Sequence, residues 1–188
     1  LDGSNLRFEY TKKRGFYKAG TKQMMIDEKH ENYGKGVTIF LNKYSDSLDK
    51  VFRSKHYREI QSFVCFAEFF GKKSIFGQHE PEDEFDVVLF DIDQYKKGFV
   101  KPKEFINDFG HAGIPKVLYQ GNLNVQLKER VWNNELPGLE GQLKEGLVFK
   151  GVIDKGFVPL YYCKLKTKSW MDELKEKYGL KRYEEEFK

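Results

Sequence analysis

Cysteine is nearly absent from this chain: Cys65 and Cys163 are the only two in 188 residues. Both stand inside apolar or aromatic runs, SFVCFAEFF and PLYYCKLK, and read as small buried hydrophobes of a reducing compartment, with a disulfide as the alternative. No CxxC and no Cys/His metal spacing occurs. Long apolar runs are missing too. None approaches the ~20 residues of a membrane-spanning helix, and no signal-like segment is visible, so no membrane partner is expected and the cytoplasm is the expected location. Neither sign of charge dominates, because 33 Lys and Arg against 29 Asp and Glu leave a net charge of only +4. Such a balance admits a polyanionic partner without identifying one, and the positions of the lysines matter more than their number. Internal repeats, low-complexity stretches and linkers are absent as well.

What is present is a globular composition, 39% apolar with 17 Phe and 11 Tyr, enough for one domain with a core or for two small lobes sharing a cleft. The pattern predicts strands over LRFEY (residues 6–10), GFYKAG (15–20) and GVTIFLNKY (36–44). A helix is predicted over 45–63 behind a Ser/Asp cap, with Leu48, Val51, Phe52 and Ile60 on its apolar face. Two apolar runs, SFVCFAEFFG (62–71) and FDVVLFDID (85–93), read as buried strands flanking the polar loop GQHEPEDE. Pro102 and Gly110 bracket a helix, a second spans NLNVQLKERVW (122–132), strands follow at 145–153 and 157–166, and a helix closes the chain from about Ser169. Strands interrupted by helices give an α+β class with largely antiparallel sheets.

Polar residues embedded in apolar strands mark where chemistry can sit, since a buried charge without a partner is costly. They are Asp2, Gly3, Ser4 and Asn5 ahead of the first strand, Glu68, Asp91, Glu145, and Lys164 with Lys166. Alternation puts the two lysines on one strand face, where a phosphate would relieve their repulsion. Gly146 lets backbone come close beside Glu145, which suits a hydrated divalent cation or a ribose. His79 reads as a loop residue rather than a catalytic base.

Taken in order, LDGSN (residues 1–5), FAEFFG (66–71), DVVLFDI (86–92), EGLVFK (145–150) and CKLK (163–166) resemble the motifs of the covalent nucleotidyltransferases, most closely the ATP-dependent RNA ligase family. In that family the first motif is a lysine, one variable residue, Asp and Gly. The resemblance therefore implies that the nucleophilic lysine directly precedes Leu1. It also implies an α+β nucleotidyltransferase fold, ATP-grasp-like, with antiparallel sheets flanked by helices and a nucleotide cleft between them. All 188 residues would form one adenylyltransferase domain lacking its native N-terminal segment, and no stretch after Lys166 fits an OB-type domain.

The activity so implied is formation of a lysyl-AMP, transfer of AMP to a 5′-phosphate, and sealing to a 3′-hydroxyl. Asp2, Glu145, Lys164 and Lys166 are the implied catalytic residues, with Glu145 holding Mg2+ or Mn2+. ATP would be bound by Leu1, Gly3, Asn5, Arg7, Glu68, Phe90, Lys150 and the two lysines. Within that set Glu68 would take the ribose hydroxyls, Phe90 the adenine, and Lys164 and Lys166 the α-phosphate. Lys18 and Lys22 lie near where relatives carry a basic residue against phosphate. RNA ends are the implied partner, DNA the alternative, and a monomer is expected. Phage RNA repair is a setting suggested by analogy. Competing readings are a GTP-dependent capping guanylyltransferase, a DNA ligase, and a non-catalytic module that binds nucleotide or RNA ends.

Overall fold

The computed structural model describes residues 3–72, 83–152 and 161–185. The chain divides into two compact units, Leu1–Val117 and Leu118–Lys188. In the first unit, six strands form an antiparallel sheet in the order β3-β2-β1-β4-β5-β6. They are β1 (Ser4–Thr11), β2 (Gly15–Gly20), β3 (Met25–Ile26), β4 (Ser62–Phe70), β5 (Asp86–Gln94) and β6 (Gly98–Phe99).

Strict alternation in β1 and β4 splits their side chains between two faces. Leu6, Phe8, Tyr10, Phe63, Cys65, Ala67 and Phe69 are buried, and helix α1 (Gly34–Phe52) packs in the same core through Val37, Phe40, Tyr44, Leu48 and Phe52. Ring stacking holds the layers together, Phe8 on Phe40 at 3.6 Å and Phe52 on Phe63 at 3.9 Å. The buried Tyr44 hydroxyl donates to the Val87 and Gly113 carbonyls at 3.1 and 2.9 Å and accepts from Leu89 N–H at 3.1 Å. It thereby satisfies backbone groups of β5 beyond its short pairing with β6. Asp86, which opens the second apolar run, accepts from Lys43 of α1 at 2.8 Å and is a tether rather than a reactive group.

The strand expected at 36–44 is helix. Val37, Thr38, Ile39 and Phe40 favour strands intrinsically, but the buried positions 37, 40, 44, 48 and 52 recur at helical spacing, and the sheet selects that period. Ser45 and Asp46 therefore lie inside α1 and cap nothing. The helix also ends at Phe52, short of the predicted 63, and Tyr57 and Ile60 are buried from the turns that follow. Helix α2 (Pro102–Phe109) has Pro102 at its start and Gly110 at its C-cap as expected, although the left-handed residue of that corner is Gly113, φ 87°.

In the second unit, α3 (Val125–Trp132) is capped by the Asn124 side chain, which accepts from Leu127 N–H at 2.8 Å. It packs with the hairpin of β7 (Gly146–Gly151) and β8 (Tyr161–Lys166) over a small core of Leu127, Val131, Leu136, Leu143 and Leu165. Helix α4 (Lys168–Glu185) is broken at Gly179, where φ is 82°. The parts of the predicted final strands at 153 and 157–160 lie outside the described residues. No helix among those described is long and apolar enough to cross a membrane.

Three buried tyrosines make unit 1 sensitive to alkali. Burial, together with the bond its hydroxyl donates to Asp49 at 2.5 Å, pushes Tyr10 up to about 12. Burial also raises Tyr44, and burial with a 2.7 Å bond to Asp108 raises Tyr57. The folded state keeps these protons to higher pH than the unfolded state, whose tyrosines titrate near ~10. The unfolded chain therefore binds fewer protons above that pH, and stability falls as pH rises through the window from ~10 towards the Tyr10 value. The urea midpoint of unit 1 should drop between pH 9 and 11, and Tyr10→Phe should shrink that drop. An unchanged drop in the variant would clear Tyr10 of the effect.

Candidate functional site

Unit 1 carries one set of motif residues on the sheet face opposite α1. Asn5 pairs directly with Glu68 across β1 and β4, Arg7 stands opposite Phe66, and Phe66 stands opposite Asp91 on β5. Residues opposite one another in an antiparallel ladder share a face, so register assembles Asn5, Arg7, Glu68 and Asp91 from three separate stretches. Between Phe66 and Ala67 the β4–β5 register shifts, leaving Phe90 as the unpaired bulge residue next to Asp91. Such a bulge re-aims a side chain, and Phe90 is half-buried.

Gly3 is required by close approach. A Cβ there would strike the Phe69 carbonyl, whereas glycine lets the Gly3 N–H donate to Glu68 Oε1 at 3.0 Å. The LDGSN segment is thus tied to the carboxylate of FAEFFG. Arg7 packs against Gly20, where a Cβ would sit 3.2 Å from its Nε, and it directs Nη2 at the Met25 sulfur at 3.8 Å. Its Nε is buried and has no hydrogen-bond acceptor among the described residues. A buried unsatisfied donor is costly, and an anion is the acceptor that would relieve it best. Asp91 is 3% exposed, and Asp93, two residues on, is held above the usual carboxylate range by burial and then by the Asp91 charge.

Unit 2 carries the other set. One hairpin face, formed by Leu147, Phe149, Cys163 and Leu165, packs on the core. The opposite face presents Lys150, Lys164 and Lys166, with Val148 opposite Lys164 and Gly146 opposite Lys166. The side chain of Lys166 is only 11% exposed and is ion-paired to Glu145 Oε1, with its Nζ 4.1 Å from the centre of the Trp170 ring. The expected repulsion between Lys164 and Lys166 is therefore relieved in part by Glu145. Lys164 is exposed and has no side-chain partner among the described residues. Lys150 lies 5.6 Å from the Tyr162 ring centre.

Backbone makes this pairing possible. At Gly146, φ 145°, a Cβ would run into the Leu165 carbonyl, so only glycine lets the chain turn sharply enough beside Glu145. Thr167 then fixes both ends, its N–H donating to the Glu145 carbonyl at 2.9 Å and its hydroxyl to that of Lys144 at 3.0 Å. The same hydroxyl accepts from Trp170 N–H at 3.3 Å and so caps α4. Thr167 and Trp170 escaped the sequence reading. A Thr three residues before Trp in KTKSW was the available sign of a cap.

Other predicted residues fall elsewhere. Lys18 is 3.6 Å from Glu9 and exposed, and Lys22 is an exposed turn residue. Leu1, Asp2 and His79 lie outside the described residues. Among the described residues, no group of three or more His, Cys, Asp and Glu could hold a metal. Glu145 alone suits a hydrated divalent cation carried largely by substrate phosphates, not a protein cage.

Antiparallel strands in both units with helices beside them define an α+β protein. The family model described as RNA ligase matches residues 1–166, and the chain belongs to that family. It is accordingly an enzyme of the ligase and nucleotidyltransferase type with RNA as its substrate. No curated protein sequence matches the chain.

Proposed function

We propose that the protein is an ATP-dependent RNA ligase working through a covalent lysyl-AMP. The observation that carries this reading is the outer face of the β7–β8 hairpin, where Lys164, without a side-chain partner among the described residues, stands two residues from a Lys166 already neutralised by Glu145. One cation is left over for an anion, and the other is held in place for it. The orphaned Nε of Arg7 in unit 1 supports the same substrate class.

The reaction is a sequence of displacements at phosphorus. The amine of the lysine ahead of Leu1 loses its proton and attacks the α-phosphorus, the bond to the β-phosphate breaks, and pyrophosphate leaves. Cationic surroundings depress the lysine pKa from its usual ~10.4 and stabilise the charge that develops. A 5′-phosphate oxygen of RNA then attacks the same phosphorus and breaks the P–N bond. Finally the 3′-hydroxyl attacks the 5′-phosphate and releases AMP. Lys164 and Lys166 hold the α-phosphate, Glu68 the ribose hydroxyls and Phe90 the adenine, while Asn5, Arg7 and Lys150 make the remaining polar contacts. A divalent ion near Glu145, Mg2+ or Mn2+, would supply further charge neutralisation when bound. The unpaired thiols of Cys65 and Cys163 fit a reducing compartment such as the cytoplasm.

Incubation of the complete protein with ATP or GTP labelled at the α-phosphate tests the proposal. Label from ATP alone should stay on the denatured protein and then move to a 5′-phosphorylated RNA. Label from GTP would instead identify a capping enzyme, and none from either would leave a non-catalytic binding module.

A further inference from the structure

At the end of unit 1 remote from Gly3 and Glu68, the sheet carries charge that the adenylation chemistry does not use. The β1–β2 turn supplies Lys12, Lys13 and Arg14, and the last turn of α1 with the segment after it supplies Lys50, Arg53, Lys55 and Arg58. These pieces are tied together. Lys12 Nζ donates to the Tyr57 and Arg58 carbonyls at 2.8 and 3.0 Å, and Arg53 Nη2 donates back to the Lys12 carbonyl at 2.7 Å. Asp49 and Glu59 are the carboxylates within residues 12–14 and 49–59, and they are bonded to Arg53 and Arg58. Seven cations against two carboxylates leave a local excess larger than the +4 of the whole chain.

Helix electrostatics explain Lys50 and Arg53, which sit where the α1 dipole is negative. They do not explain Lys13, Arg14 and Lys55, which are exposed and have no carboxylate partner among the described residues. Crowding is sufficient that burial and the Arg53 charge lower the Lys12 pKa. Beside this end lies an open groove of about 610 Å³ lined by Lys50, Ser54, His56 and His111 together with the carboxylates of Asp46 and Asp108. The exposed cations of residues 12–14 and 50–58, rather than this groove with its carboxylates, match a phosphodiester backbone.

We propose that this end of unit 1 docks the phosphate backbone of the RNA substrate away from the reacting ends, an inference that rests on the ligase reading. From Asn5 to Lys12 strand β1 rises roughly 23 Å at ~3.3 Å per residue. Stacked nucleotides advance by ~3.4 Å each in duplex DNA, and at that spacing the contact falls about seven nucleotides from the seal.

Anisotropy titrations of the complete protein with a fluorescent nicked RNA duplex, at several KCl concentrations, test this. The variant Lys13→Gln/Arg14→Gln/Lys55→Gln should bind about tenfold more weakly at low salt. Its slope of log affinity against log salt should be smaller by roughly two, at ~0.7–0.9 per lost phosphate contact. The control Lys29→Gln/Lys97→Gln/Lys103→Gln removes the same charge elsewhere and should change affinity less than about twofold. With RNA flanks shorter than about five nucleotides, wild type and variant should bind alike. An unchanged affinity and slope, or an equal loss in the control, overturns the proposal. So does a variant that binds RNA like wild type yet loses binding to phosphatidylserine vesicles. Labelling by ATP without RNA should be the same in variant and wild type. Its absence in wild type would defeat the ligase reading while the titrations still decide whether this patch binds RNA.

Discussion

Replacing Lys166 by Ala is expected to cut formation of protein-bound AMP by about 10²- to 10³-fold, the range for removing a preorganised group from developing charge. The loss is twofold in origin. The cation nearest Glu145 disappears, and the Glu145 carboxylate then stands unpaired on a face proposed to receive phosphate. Lys164→Ala should act in the same direction, and because Lys164 is exposed, thermal melting should not move with it. Rates of AMP labelling with a melt of each variant make the check. Glu145→Ala combined with Lys166→Ala should fall well short of the product of the single losses, since the two groups act as a pair. Near wild-type labelling by Lys166→Ala would remove this face from the chemistry.

The second large effect is on stability. Phe52 is fully buried, stacks on Phe63 at 3.9 Å and lies 4.8 Å from the Tyr10 ring. Phe52→Ala should destabilise unit 1 by about 3–5 kcal/mol, transfer and cavity terms together. Urea unfolding followed by tyrosine fluorescence reads it, and a loss below ~1 kcal/mol would mean that the stacked cluster can collapse into the space.

Local signals in this chain were read correctly where one period dominated. Strand β4 alternates cleanly, Pro102 opens α2, and the Asn124 cap lies within the predicted α3 segment. The segment 36–44 misled because β-branched residues speak for strand locally while the sheet they cover demands a helix, and nothing within nine residues carries that demand. Much the same divides the site. That Lys164 and Lys166 share a face, and that Gly146 lets backbone close up beside Glu145, follow from strand period and from glycine. The Glu145–Lys166 pair, the Trp170 ring against it, and the Gly20 space beside Arg7 depend on register between distant stretches, which no single stretch encodes.

Disposition of charge also separates two tasks that the sequence blends together. Lysines 164 and 166 belong to the hairpin of unit 2, whereas the surplus of cations at residues 12–14 and 50–58 belongs to unit 1. Salt should therefore weaken RNA binding steeply while leaving ATP labelling less affected, because the largely buried Lys166 is screened less than the exposed cations of unit 1.

The most direct measurement is mass spectrometry of peptides from the complete protein after reaction with ATP and a divalent cation. A single AMP is predicted on the lysine joined to Leu1, through a P–N bond that acid releases and alkali spares. Adduct on any other side chain, or a residue other than lysine at that position, would contradict the account.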